Sequence, residues 1–153
     1  MAYLDVAEFT TLSIMPPDGV AEVEATHPGF ISAALAEWSS RMDSVLRKRY
    51  AVPFTEPPEV VKGWLARLVT VRVYGARGFN PSDAQSAWIE KDAESAWNEI
   101  REAADSKDGL YDLPISPTVA SSAVVDGGPL GVAETSPYLW TDMQRENAED
   151  GHH

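Results

Sequence analysis

Residues 57–78 read "PPEVVKGWLARLVTVRVYGARG", and the fold turns on how this segment is read. Val61, Trp64 or Leu65, Leu68 and Val71 recur every three or four residues, the period of one helix face. Val69, Val71 and Val73 instead alternate, as the residues of a half-buried strand do. The helical reading is the better one, because "PPEVVKGWLARLV" keeps its period and no turn residue separates it from the alternating valines. Pro57 and Pro58 open the segment and "YGARGFNP" closes it.

Upstream, "HPGF" opens a long helix on which Ile31, Leu35, Trp38, Met42 and Val45 form a stripe, widened by Phe30, Ala34 and Leu46. That helix is expected to run to Pro53, through "LRKRYAVPF" (residues 46–54), with Lys48 and Arg49 in its last turn, where cations complement the negative end of the helix dipole. Nearer the N-terminus, Asp5 reads as the cap of a short helix carrying Val6, Phe9 and Leu12 that stops before "MPP". Asp18 reads as the cap of a further turn, "GVAEVEA". Downstream, "NPSDAQSAWIEKDAESAWNEIREAAD" has proline at its start and "KDG" as its stop, with Ala84, Trp88, Ile89, Ala96, Trp97 and Ile100 on one face. The expectation is all-α: a small bundle of three longer helices plus one or two short N-terminal ones, occupying residues 1–115.

Residues 116–153 lose the helical period and are expected to form an extended C-terminal arm with little regular secondary structure. They hold Gly127, Gly128, Gly131 and Gly151 among several prolines, yet also Val124, Val125, Leu130, Tyr138, Leu139 and Trp140. A run of this length without a period is more often an arm or binding loop than part of a compact domain. A pure spacer would have little reason to expose such side chains. Trp140, with Tyr138 and Leu139 beside it, reads as an aromatic anchor for a pocket on a neighbour, with folding back onto its own core as the alternative.

The 153 residues are 44% hydrophobic, enough for one domain with a core. No apolar run approaches the ~18 to 20 residues a bilayer span needs, and "MAYLDVAEFTTL" has neither a basic n-region nor an apolar h-region, so a soluble, unsecreted protein is expected. The absence of cysteine excludes disulfides, thiolate metal sites and a cysteine nucleophile. The net charge of −12 is uneven: residues 1–40 carry −6, residues 41–77 carry +5, residues 78–115 carry −6 and residues 116–153 carry −5. One basic segment between acidic ones fits contact with copies of the same chain, or with a second protein, better than a duplex-DNA-binding domain, which shows a basic excess overall.

Catalytic patterns are missing from the sequence. There is no phosphate loop, nucleophile elbow or HExxH motif. His27, in "THPGF", reads as structural, and His152 with His153 is a weak metal signal. The acids of residues 90–108 read as a solvated helix face. Neither enzymatic activity nor a cofactor is expected. Trp38, Trp64, Trp88 and Trp97 read as core or subunit interface rather than as a platform for bases.

The blocks "MAYLDVAEF", "LRKRYAVPF", "PPEVVKGWLARLVTVRVYGARG" and "GPLGVAETSPYLWTDMQRE" resemble, in the same order and over most of the chain, the Mu-like phage family of head-to-tail adaptor or head-completion proteins, also found in prophages and gene transfer agents. The resemblance implies a structural virion protein at the neck, made in the bacterial cytoplasm. Adaptors of this kind form a ring, commonly of twelve copies, beneath the portal protein. A stopper or tail-completion protein lies below, and DNA passes through the lumen without sequence-specific binding. On that footing Arg47, Lys48 and Arg49 are candidate subunit or portal contacts, and Tyr138, Leu139 and Trp140 candidate docking residues. A DNA-binding regulator using residues 41–77 is the alternative reading; it requires affinity that falls steeply with salt.

Overall fold

The structure is a computed structural model that describes residues 2–78, 84–106 and 113–119. Five α-helices follow one another: α1 (Val6–Leu12), α2 (Pro17–Thr26), α3 (Phe30–Leu46), α4 (Glu59–Ala76) and α5 (Ala84–Asp105). No strand occurs among the described residues, so the all-α expectation holds, with three longer helices and two short N-terminal ones. The chain divides into two units, Met1–Ser116 and Pro117–His153. Of the second only residues 117–119 are described, as one helical turn, and the expectation of an extended arm falls otherwise outside the described residues.

Local chemistry explains the helix ends. Asp5 and Glu8 form a capping box: Asp5 Oδ1 accepts from the Glu8 amide at 2.7 Å, and Glu8 Oε2 accepts from the Asp5 amide at 3.3 Å. Asp18, expected to cap α2, lies inside its first turn instead. Pro16 is the N-cap and Pro17 the first helical residue, where the missing N–H leaves no intrahelical bond unmade. Gly29 caps α3 at φ 77°, a left-handed conformation that side chains other than glycine rarely adopt. α3 stops sooner than Pro53: Arg47 is its C-cap, and Lys48 and Arg49 follow in a turn closed by the Tyr50 amide on the Leu46 carbonyl at 2.9 Å. Pro58 caps α4.

α4 is the hub. Val61, Trp64, Leu65, Ala66, Leu68, Val69, Thr70 and Val73 are all buried, so the helix is covered around most of its circumference, and it touches each of the other four. Val71 stays half-buried. α3 supplies Ile31, Ala34, Leu35, Met42 and Leu46 to the core, while Trp38 and Val45 pack at its edge. α5 supplies Ile89, Ala96, Ile100, Ala103 and Ala104. Trp88 departs from the expected stripe: it is 51% exposed while Ile89 is 3% exposed. Adjacent helical residues point ~100° apart, and the buried arc of α5 is centred on Ile89 rather than between the two.

The N-terminus and the two sides of the α3–α4 connection are fastened by polar contacts. The Tyr3 amide donates to Ser39 Oγ at 3.1 Å, and the Tyr3 hydroxyl donates to Asp43 while accepting from the Phe54 amide at 3.2 Å. Burial, reinforced by the bond to Asp43, pushes the Tyr3 phenol well above its ordinary pKa. After α5 the chain returns to the end of α3. Tyr50 and Ile115 form an isolated antiparallel bridge, with Ala51 N to Pro114 O at 2.9 Å and Ser116 N to Arg49 O at 2.8 Å.

Candidate interaction surfaces

Residues 41–77 contain eight basic side chains. At least six of them form ion pairs among the described residues, and the acids they engage come from α1, α2, α3 and α5. Lys62 on α4 meets Glu8 of α1 at 3.1 Å, and Arg77 meets Glu22 of α2 at 2.8 Å. Arg72 of α4 and Arg41 of α3 share Glu37, the latter at 2.7 Å. Arg67 grips Asp92 at 2.9 Å and Glu99 at 3.0 Å on α5, and Lys48 reaches Asp105 at 3.0 Å. The basic middle of the chain is thus the internal counter-charge to its acidic helices.

The Arg67 cluster is the least exposed of these pairs. Glu99 accepts from Trp64 Nε1 at 2.8 Å and from Arg67 Nη1 at 3.0 and 3.1 Å, while Arg67 Nε donates to Asp92 Oδ1 at 2.9 Å. Burial alone would raise the pKa of Glu99, but the bonds from Trp64 and Arg67 outweigh it and hold it below the usual carboxylate range. Burial likewise opposes the charge of Arg67, and Asp92 with Glu99 reverses that and raises its pKa. Lys62, hydrogen-bonded to Glu8, is also raised.

The candidate contact residues of the turn after α3 differ in exposure and pairing. Arg47 is exposed and has no ion pair among the described residues, Lys48 is exposed and paired with Asp105, and the Arg49 side chain is half-buried. Tyr138, Leu139 and Trp140 lie outside the described residues. His27 is the C-cap of α2 and its ring lies 6.2 Å from that of Phe30, a structural place.

Spacing alone did not reveal a second surface, an open groove of about 410 Å³ between α3, α4 and α5. Trp38 and Trp97 wall it, edge to face at 5.8 Å and 74°, and Leu68, Val71 and Ala93 line it. Arg41 stacks over Trp38 at 4.9 Å. Glu90 and Glu94 stand exposed on the opposite rim. The two tryptophans on facing helices were the signal in the sequence; that a hollow remains beside them was not readable there.

Among the described residues no group of three or more His, Asp or Glu side chains is placed to hold a metal, and no helix is long and apolar enough to cross a membrane. The described surface of this helical protein carries an aromatic groove, an exposed tryptophan and a charged bundle end. The Bacteriophage Mu, Gp36 family matches residues 6–123, most of the chain, and the protein belongs to that family. It is a Mu-like phage protein. No curated protein and no solved structure matches the chain.

Proposed function

We propose that the protein is a structural component of the virion neck, a head-to-tail adaptor that docks beneath the portal as one subunit of a ring and lines part of the DNA conduit. Membership of the phage family over residues 6–123 carries this reading. It is supported by the contact equipment of the bundle and by the non-catalytic character of the sequence. The end of α3 presents Arg47, Lys48 and Arg49 beside the point where the chain reaches Ser116, whose amide donates to the Arg49 carbonyl at 2.8 Å. The cationic turn offers a partner one contact, and Tyr138, Leu139 and Trp140 of the C-terminal segment are the second that this reading requires.

Internal pairing of six of the eight bases of residues 41–77 weighs against a DNA-binding regulator, because cations already neutralised release few counterions from a phosphate backbone. A conduit through which DNA slides is better served by a net acidic chain. Electron microscopy of the protein mixed with the portal of the same phage tests the reading. A ring of this protein against the portal is expected; a portal left bare, with tight salt-sensitive binding to duplex DNA, overturns it.

A further inference from the structure

Trp88 and the Trp38–Trp97 groove lie on opposite flanks of α5. Trp97 follows Trp88 by nine residues, which at ~100° per residue leaves them half a turn apart. Ala93 and Glu94 sit on the same side as Trp97, lining the groove with it. One helix therefore carries an exposed indole on one flank and an aromatic hollow, larger than one indole side chain, on the other. We infer that these two features are the halves of one contact between copies of this chain: Trp88 of one copy seats in the groove of the next.

The charges agree. Arg41 and Arg72 on the groove rim share the single carboxylate of Glu37, so with the exposed Glu90 and Glu94 this rim carries a net charge of −1. Beside Trp88 stands the exposed Lys91, while Asp92 and Glu99 share Arg67. The knob thus arrives with the Lys91 cation and the hollow has a net negative rim, a complementarity that favours this register of the contact. An indole entering a site walled by Trp38 and Trp97 also gains edge-to-face contacts of the kind those two already make.

Because knob and hollow are different surfaces, the contact is head to tail and propagates: every copy has one of each to offer. They are offset by ~8 Å along α5, so a closed ring requires the helix to lean against the ring axis; without that lean the same contact builds a filament. The inference rests on the ring reading of the preceding subsection and names the surfaces that make the ring.

Two variants test it. Trp88→Ala keeps the hollow and loses the knob; Ala93→Trp keeps the knob and fills the hollow. Both positions are at least partly exposed, and thermal melts of each variant confirm the fold. Sedimentation velocity over a concentration series, in salt sufficient to screen the net charge, should show concentration-dependent oligomers for the wild type. Each variant alone should associate at least ~30-fold more weakly, the loss expected of an interface hot spot. An equimolar mixture of the two should form a dimer and nothing larger, since the knob of one still fits the hollow of the other. No association of the wild type, association unchanged in Trp88→Ala, or a mixture no better than its components each overturns the contact. Loss in Ala93→Trp alone assigns the groove to another occupant and also overturns it. All of these leave the ring reading to be decided at the portal.

Discussion

Replacing Glu99 with Gln tests whether the α4–α5 cluster holds the bundle together as its geometry indicates. The substitution keeps shape and leaves one oxygen to accept from Trp64 Nε1, the 2.8 Å bond. It removes the charge facing Arg67, where two bonds of 3.0 and 3.1 Å are now charge-assisted, and turns an amide N–H₂ toward a guanidinium that can only donate. Hydrogen bonds between ionised partners contribute ~1.5–3 kcal/mol against ~0.5–1.5 for neutral ones, so a loss of about 1–2 kcal/mol follows. Asp92 still holds Arg67, and the Glu99 side chain is 32% exposed, which favours the lower half of that range. The linkage gives the effect a sign. Glu99 has its pKa depressed on folding, so its contribution is complete above the unfolded carboxylate pKa of ~4.3 and disappears as pH falls through the lower folded value. Urea unfolding of both proteins at neutral pH and near pH 2 measures this; other carboxylates titrate in both proteins and cancel in the difference. The variant should be less stable by about 1 kcal/mol at neutral pH and nearly equal to wild type in acid. A difference that persists unchanged into acid, or is absent at neutral pH, refutes the reasoning.

Three further outcomes are expected. Changing the exposed Arg47 and Lys48 together to Glu should leave helix content by circular dichroism nearly unchanged and cost no more than about 0.5–1 kcal/mol, because Arg47 is exposed and the Lys48–Asp105 pair is solvated on both sides; binding to the portal should fail. Ending the chain after Ser116 should leave a cooperatively melting bundle, since Leu113 and the bridge at Ile115 are retained, while portal binding is lost and Trp140→Ala in the full chain weakens it by at least ~2 kcal/mol in a titration. Asp5→Ala should lower stability by about 1 kcal/mol in thermal melts through loss of the α1 capping box, without effect on binding.

The sequence was most informative where structure is set locally. Asp5 with Glu8, Gly29 before Phe30, and Pro58 ahead of α4 each announce a helix start through chemistry confined to one turn. α4 was ambiguous for a physical reason: a helix buried on most sides has apolar residues at most positions, and Val69, Val71 and Val73 then imitate a strand. Asp18 misled because Pro17 takes the first helical position and moves the start of α2 upstream. The exposure of Trp88 depends on how far α5 is rotated against α4, and two adjacent apolar residues cannot declare that by themselves. The partners of Lys48, Lys62, Arg67 and Arg77 lie 25 to 57 residues away in sequence, beyond any periodicity. A segment whose charge suggested outside partners therefore turned out to be mostly occupied within.

The return of the chain to the end of α3 has a mechanical side. Anything that grips the protein beyond Ser116 and pulls does not tug directly on the last turn of α5. The tension first reaches the two backbone bonds at Ala51 and Ser116, then Leu113, which is sunk in the core, and Tyr50, whose hydroxyl is tied to the Ala103 carbonyl at 2.9 Å. Load is shared between α3 and α5 at a cleat set into the bundle, so a pull on the chain beyond Ser116 would strain this fastening before it could unwind a helix.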